Sequence, residues 1–157
     1  MNTFTKKIVN NLIKKRLTIS VAESCTGGFL SNSFTSIEGS SKIFTLGIVS
    51  YSNQSKINVL KVPKKTIEKH GSVSEEVCLT MLKNLNKMSK TNISISVTGI
   101  AGPGGGTKKK PVGLVYIGIK KNDKILIKKY LFENKGRSYI QKTAVNKSLQ
   151  LILNFLK

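Results

Sequence analysis

The segment Ala22-Glu23-Ser24-Cys25-Thr26-Gly27-Gly28 sets a carboxyl, two hydroxyls and a thiol beside two glycines, where an apolar run gives way to helical spacing. Small residues at such a joint leave the backbone bare. Unpaired amides at a helix start can hold a phosphate or a developing oxyanion, and Ser24 beside them has the position of a nucleophile. The plainer reading is that Ser24 and Thr26 cap the helix while the glycines permit close packing.

A serine nucleophile needs a base, and the familiar one is histidine. His70 is the only histidine, and it stands just before Gly71, where a cationic residue near a helix C-terminus reads as a solvated surface position. A lysine is the remaining option. It serves as a base where desolvation or nearby positive charge lowers its pKa enough to leave a neutral amine. Tyr51-Ser52-Asn53-Gln54-Ser55-Lys56 offers such a lysine, with Tyr51 closing a strand and its hydroxyl placed to orient the amine or a substrate. Among 27 Lys and Arg residues, spacing alone does not single out Lys56.

A second small-residue stretch, Thr98-Gly99-Ile100-Ala101-Gly102-Pro103-Gly104-Gly105-Gly106, lets its backbone approach a ligand closely. It is not a Walker A loop, which needs Gly-Lys followed by Ser or Thr, because here Thr107 precedes the lysines. Pro103 and Pro111 argue for a shaped loop rather than a slack connection.

The elements that must position these residues follow from periodicity. Phe4, Ile8, Leu12 and Ile13 predict an opening amphipathic helix closed near Arg16, and Leu17 to Ala22 predicts a buried strand. Helical spacing resumes at Phe29. Phe44 to Tyr51 predicts a strand followed by a turn at Ser52-Asn53-Gln54, and Pro63 opens a short helix ending near Gly71. Ser72-Val73-Ser74-Glu75 has capping-box spacing ahead of a longer helix with Val77, Met81, Leu82, Leu85 and Met88 on one face. Ile93, Ile95 and Val97 alternate with serines as a strand. Val112 to Ile119 and Ile125 to Phe132 predict an antiparallel hairpin across Lys120-Lys121-Asn122-Asp123, and Ile140, Ala144, Leu149, Ile152 and Phe155 stripe a closing helix. The expected fold is α/β, a mixed sheet covered by helices on both faces, with ligands beyond the carboxyl ends of its strands.

The 157 residues suit one domain spanning residues 1–157, with 39% hydrophobic and 6% aromatic content and no Trp. No apolar stretch approaches a membrane span, so no membrane partner and a soluble, cytoplasmic protein are expected. Cys25 and Cys78 match no metal spacing, which predicts no zinc site and reduced thiols. The net charge of +20 favours a rival reading as a basic nucleic-acid-binding module. Lysines spread along the chain, abundant Asn and Ile, and no aromatic-rich strand face argue instead for compositional drift and no specific nucleic-acid partner.

Taken in order, Ala22 to Gly28, Tyr51-Ser52-Asn53 with Lys56, Gly71-Ser72-Val73-Ser74, Thr98 to Pro103 and Pro111-Val112-Gly113 resemble the CinA C-terminal domain family over nearly the whole chain. Bacterial members of that family include nicotinamide-nucleotide amidohydrolases. The resemblance implies a three-layer α/β/α sandwich with a C-terminal β-hairpin and helix. It also implies an amidase that converts nicotinamide mononucleotide and water to nicotinate mononucleotide and ammonia, recycling pyridine nucleotide without a cofactor or metal.

Carried over by position, Ser24 resembles the nucleophile, Lys56 its general base, Tyr51 and Thr98 supporting hydroxyls, and Arg137 an assisting arginine. Substrate contacts are expected from Glu23, Cys25, Thr26, Gly27 and Gly28 and from Gly99, Gly102, Gly104 and Gly105, with the phosphate on the glycine loops. The sequence departs from the pattern at Gly104, where members often carry Asp, and at Gln141, where a second arginine is expected. The domain is expected to stand alone, without the larger N-terminal domain of some members, and to form a homo-oligomer, a dimer first. The alternative within the same fold is a catalytically silent nucleotide-binding or regulatory protein.

Overall fold

The apolar runs near residues 19, 44 and 93 become neighbouring parallel strands, which decides where their loops meet. The computed structural model describes residues 2–157. In chain order its elements are α1 (Asn2–Lys15), β1 (Ile19–Glu23), α2 (Phe29–Thr35), a short 3-10 turn (Ser40–Lys42), β2 (Phe44–Val49), α3 (Asn53–Asn58), α4 (Lys64–His70), α5 (Glu75–Ser89), β3 (Ile93–Gly99), β4 (Leu114–Lys121), β5 (Lys124–Leu131) and α6 (Arg137–Leu156). The five strands form one sheet in the order β2-β1-β3-β4-β5. β1 pairs in parallel with β2 and β3, and β3-β4 and β4-β5 are antiparallel, the latter being the predicted hairpin.

β1 is buried along its whole length. Its side chains divide between two cores, because alternate residues point to opposite faces. Ile19 and Val21 join Ile8, Leu12, Phe34 and Leu149 beneath α1, α2 and α6. Ala22 joins Leu60, Val77, Met81 and Leu85 beneath α5. Two cores, one on each face of the sheet, make the three-layer α/β/α sandwich.

The serines of β3 do not mark a solvated face. Ser96 Oγ donates to the Cys78 carbonyl of α5 at 2.9 Å, and Asn86 Nδ2 donates to Ser94 Oγ at 2.9 Å. This satisfies hydroxyls that burial would otherwise penalise. Met88 is 48% exposed although its spacing assigns it to the buried face of α5. There the last turn packs through Ser89 onto the hydroxyls of Ser20 and Thr91.

Several lysines have structural work. Lys121 donates to the Phe155 carbonyl at 2.6 Å and Lys15 to the Leu156 carbonyl, so both satisfy carbonyls at the C-terminal end of α6. Lys124, Lys128 and Lys129 are exposed on the edge strand β5, where charge discourages pairing with another chain.

Two local expectations are corrected. Ser52-Asn53-Gln54 is not a free turn but the start of α3, because Ser52 and Ser55 cap each other's amides. The cap of α5 is Ser74 rather than Ser72, its hydroxyl accepting from the Val77 amide at 3.3 Å.

Gly118 of β4 lies where an added Cβ would be 2.7 Å from Ser96 Oγ of β3, 2.8 Å from Ile127 Cδ1 of β5 and 3.2 Å from Leu82 Cδ2 of α5. Gly118→Ala is therefore expected to lower the unfolding free energy by about 1–3 kcal/mol, read as a lower urea midpoint. An unchanged midpoint would mean that the side chains of Ser96, Ile127 and Leu82 yield freely at this contact.

Candidate active site

Because β1, β2 and β3 run parallel, their carboxyl ends share one edge of the sheet, and the loops leaving them converge there. The Ser24 amide donates to the Val97 carbonyl at 3.0 Å and the Ser50 amide to the Glu23 carbonyl at 2.7 Å. The backbone on both sides of Ser24 is thus held by continuations of the sheet pairing.

α3 brings in the lysine. Ser52 Oγ accepts from the Ser55 amide at 3.0 Å while Ser55 Oγ accepts from the Ser52 amide at 3.1 Å, a reciprocal cap that starts the helix directly after β2. Lys56 then turns inward and is 2% exposed. Its Nζ lies 2.9 Å from Ser24 Oγ, 3.0 Å from the Ser50 carbonyl and 3.4 Å from the Tyr51 carbonyl. None of these partners carries a charge. Desolvation by burial lowers the Lys56 pKa from its ordinary value of 10.5. The opposing influence comes from the Cys25 thiol, itself pushed up to about 12 by burial and so neutral near pH 7. A neutral amine fits these partners: two N–H groups donate to the two carbonyls, and the lone pair faces the Ser24 hydroxyl.

The other residues singled out in the sequence divide into two groups. Ser24, Cys25, Tyr51, Lys56, Thr98 and Arg137 all line one cleft of about 400 Å³. Gly99, Gly102, Gly104 and Gly105 line it as well, and no Asp or Glu among the described residues does. Its size is that of a small-molecule site. Glu23, Thr26, Gly27 and Gly28 are not on its wall.

Glu23 is wholly buried, and its carboxylate accepts from the amides of Gly28, Leu30 and Ser31 at 3.1, 3.0 and 2.8 Å and from Ser31 Oγ at 2.7 Å. The first-turn amides of α2, expected to receive a ligand's anion, are therefore occupied by the chain's own carboxylate. The amides of Cys25 and Thr26, directly after Ser24, donate to no carbonyl among the described residues.

Arg137 opens α6 and donates to the Gly102 carbonyl at 3.0 Å and to the Tyr51 hydroxyl. Tyr51 thus serves the lysine through its carbonyl, while its hydroxyl serves the arginine instead of orienting the amine. Thr98 Oγ1 donates to the Ser72 carbonyl at 2.9 Å, tying the end of β3 to the α4–α5 connection. Gly102 has φ +75°, and a Cβ there would lie 2.6 Å from Val112 Cγ1, so that turn of the loop requires glycine. Gly104 has open space where a Cβ would point. His70 is not on the cleft wall, and its Nδ1 lies 3.3 Å from Glu76 Oε1.

Sequence reasoning gave no role to two residues that hold the cleft loops. Lys110 reaches the carbonyls of His70 and Val73, the latter at 2.7 Å, and so straps the glycine-rich loop to the α4–α5 connection. Its position in the run Lys108-Lys109-Lys110 concealed it. Gln141 Nε2 donates to the Cys25 carbonyl at 2.8 Å. Only its place one turn after Arg137 on α6 pointed that way.

A model of the CinA C-terminal domain matches residues 1–156. The chain is 44% identical over 149 residues to a competence-damage inducible protein of Thermoanaerobacter pseudethanolicus, covering 95% of this chain and 36% of that protein. A protein of the same name from Clostridium botulinum strain Langeland is 47% identical over 150 residues, covering 96% and 36%. The chain therefore spans little more than a third of the length of these relatives. Among solved structures, a competence/damage inducible protein from Agrobacterium tumefaciens superposes with a TM-score of 0.96 at 34% identity, covering 99% of this chain and 95% of the other. A CinA superfamily protein from Klebsiella pneumoniae does so at 0.94 and 26% identity, covering 99% and 96%.

The lowered pKa of Lys56 links stability to pH. Between that lowered value and 10.5 the unfolded chain binds a proton at Lys56 that the folded chain does not, so unfolding takes up a proton and stability rises with pH. As pH falls through the folded-state value that contribution is lost. Lys56→Met removes the linkage. Unfolding free energies measured in urea from pH 6 to 10 are expected to shift in favour of the wild type, relative to this variant, as pH rises. Parallel pH profiles would show that the buried amine stays charged.

Proposed function

The chain belongs to the CinA C-terminal domain family, and from that premise we propose that it is an amidohydrolase that converts nicotinamide mononucleotide to nicotinate mononucleotide and ammonia. The observation that carries this reading is the 2.9 Å contact between Lys56 Nζ and Ser24 Oγ, with the amine buried and free of any counter-charge. That is general-base geometry, with the pKa displaced toward the working pH that the role needs.

Ser24 Oγ attacks the carboxamide carbon as Lys56 Nζ takes its proton. The carboxamide oxygen becomes an oxyanion beside the amide of Cys25, a cleft residue whose N–H donates to no carbonyl among the described residues. Lys56 then gives the proton to the departing nitrogen, the C–N bond breaks, and ammonia leaves a nicotinoyl ester on Ser24. Water attacks the ester, its proton passing to Lys56 and on to Ser24 Oγ, which releases nicotinate mononucleotide.

Ser24 rather than Cys25 is the nucleophile in this reading, because the Lys56 amine contacts the Ser24 hydroxyl directly at 2.9 Å, while burial pushes the Cys25 thiol up to about 12. Recognition of an anionic substrate is supported by a cleft wall that carries Lys110 and Arg137 and, among the described residues, no Asp or Glu. The α2 first-turn amides are taken by Glu23, so the substrate phosphate falls to the second loop and its basic neighbours.

Ammonia release from nicotinamide mononucleotide tests the reading. Ser24→Ala and Lys56→Ala are each expected to lower kcat by about 10³-fold or more with the fold retained. Lys56→Arg is expected to fail as completely, since a guanidinium does not give up its proton. Tight binding of the nucleotide by a wild type that releases no ammonia would instead identify a nucleotide-binding protein without catalysis.

A further inference from the structure

Two side chains of α6, one turn apart, hold the loops that form the cleft. Arg137 holds Gly102 and Tyr51, while Gln141 donates from Nε2 to the Cys25 carbonyl at 2.8 Å, across 116 residues of chain. The carboxamide of Gln141 must present its NH2 here, because a carbonyl oxygen only accepts.

That carbonyl belongs to the same planar unit as the Thr26 N–H. Fixing the oxygen fixes the direction of the N–H on the other side of the plane. The Thr26 N–H donates to no carbonyl among the described residues. The neighbouring peptide is fixed differently, by the Gly27 amide donating to the Ser24 carbonyl at 3.1 Å. Of the two peptides that follow the nucleophile, one is thus held from within the turn and the other from α6.

We propose that Gln141 is a positioning residue for the nucleophile turn: by gripping the Cys25–Thr26 peptide it holds the turn that follows Ser24, and with it the Ser24 hydroxyl, in place for attack. The inference rests on the Ser24–Lys56 reading of the site but not on the identity of the substrate. Gln141 touches the peptide and not the reacting atoms, so its loss acts on the transition state more than on ground-state binding.

The test compares wild type, Gln141→Leu and Gln141→Arg, the last of which keeps an N–H donor in reach of the carbonyl. The readouts are the rate of Ser24 labelling by a fluorophosphonate and kcat and KM for nicotinamide mononucleotide. Gln141→Leu is expected to label about 10- to 100-fold more slowly and to lose kcat in proportion with KM nearly unchanged, while Gln141→Arg recovers most of the rate. If leucine unfolds the chain, Gln141→Glu, equal in shape but lacking the N–H, takes its place with the same expectation.

Equal labelling of the donor-less variant and the wild type would overturn the proposal, as would an arginine variant no better than leucine. Failure of the substrate assignment is seen separately, as a wild type labelled at Ser24 that releases no ammonia. A wild type resisting the probe as well as the substrate would overturn both readings.

Discussion

An ammonium ion buried against two carbonyls and a hydroxyl, with no carboxylate to balance it, is costly to keep charged, and Lys56 is placed in that setting. Its cheapest response is to give up the proton. The same desolvation that would count against a lysine elsewhere suits this one to the proposed role of base, with the Ser24 hydroxyl 2.9 Å from its nitrogen. Sheet pairing around Ser24, the serine cap of α3 and the contacts from α6 all serve to keep that amine and hydroxyl together.

The fold achieves this by drawing from separated stretches of chain. Ser24 and Lys56 are 32 residues apart, and they meet because β1 and β2 are parallel neighbours whose following turns leave the same edge of the sheet. α6 holds the opposite side, contacting Cys25, Tyr51 and Gly102, one residue in each of the loops after β1, β2 and β3. Glu23 sits within the core and consumes the amides of α2, so the helix start that looks ready for an anion is structurally closed while the turn before it stays open. Ser24 and Thr26 do not cap α2 as their position suggested: Gly28 is its N-cap without a side-chain cap, Thr26 Oγ1 has no hydrogen-bond partner among the described residues, and Glu23 takes the amides instead.

Much of the architecture was legible because strand and helix periods are written locally. β1, β3, the hairpin and the stripe on α6 lie within a few residues of where apolar spacing placed them. Strand order was not, since long-range pairing leaves no mark in a single segment. α3 was read as a turn because Ser, Asn and Gln favour turns, and only the reciprocal bonding of Ser52 with Ser55 converts that composition into a helix start.

In the site, Ser24 and the glycine loops stood out by their small residues, whereas Lys56 needed the family likeness because lysines are plentiful. Lys110 and Gln141 were hidden for the same reason: their function lies in which carbonyl they reach, and that is set by packing. The high charge, too, is partly structural, with Lys15 and Lys121 capping α6 and Lys110 strapping a loop.

The most direct measurement of the central claim is the titration of the Lys56 side chain itself, followed by NMR of 13Cε-labelled lysine and assigned by its loss in Lys56→Met. The account predicts that the Lys56 resonance titrates below the ordinary lysine value of 10.5. A Lys56 signal that titrates at or above that ordinary value would leave Ser24 without a base and contradict it.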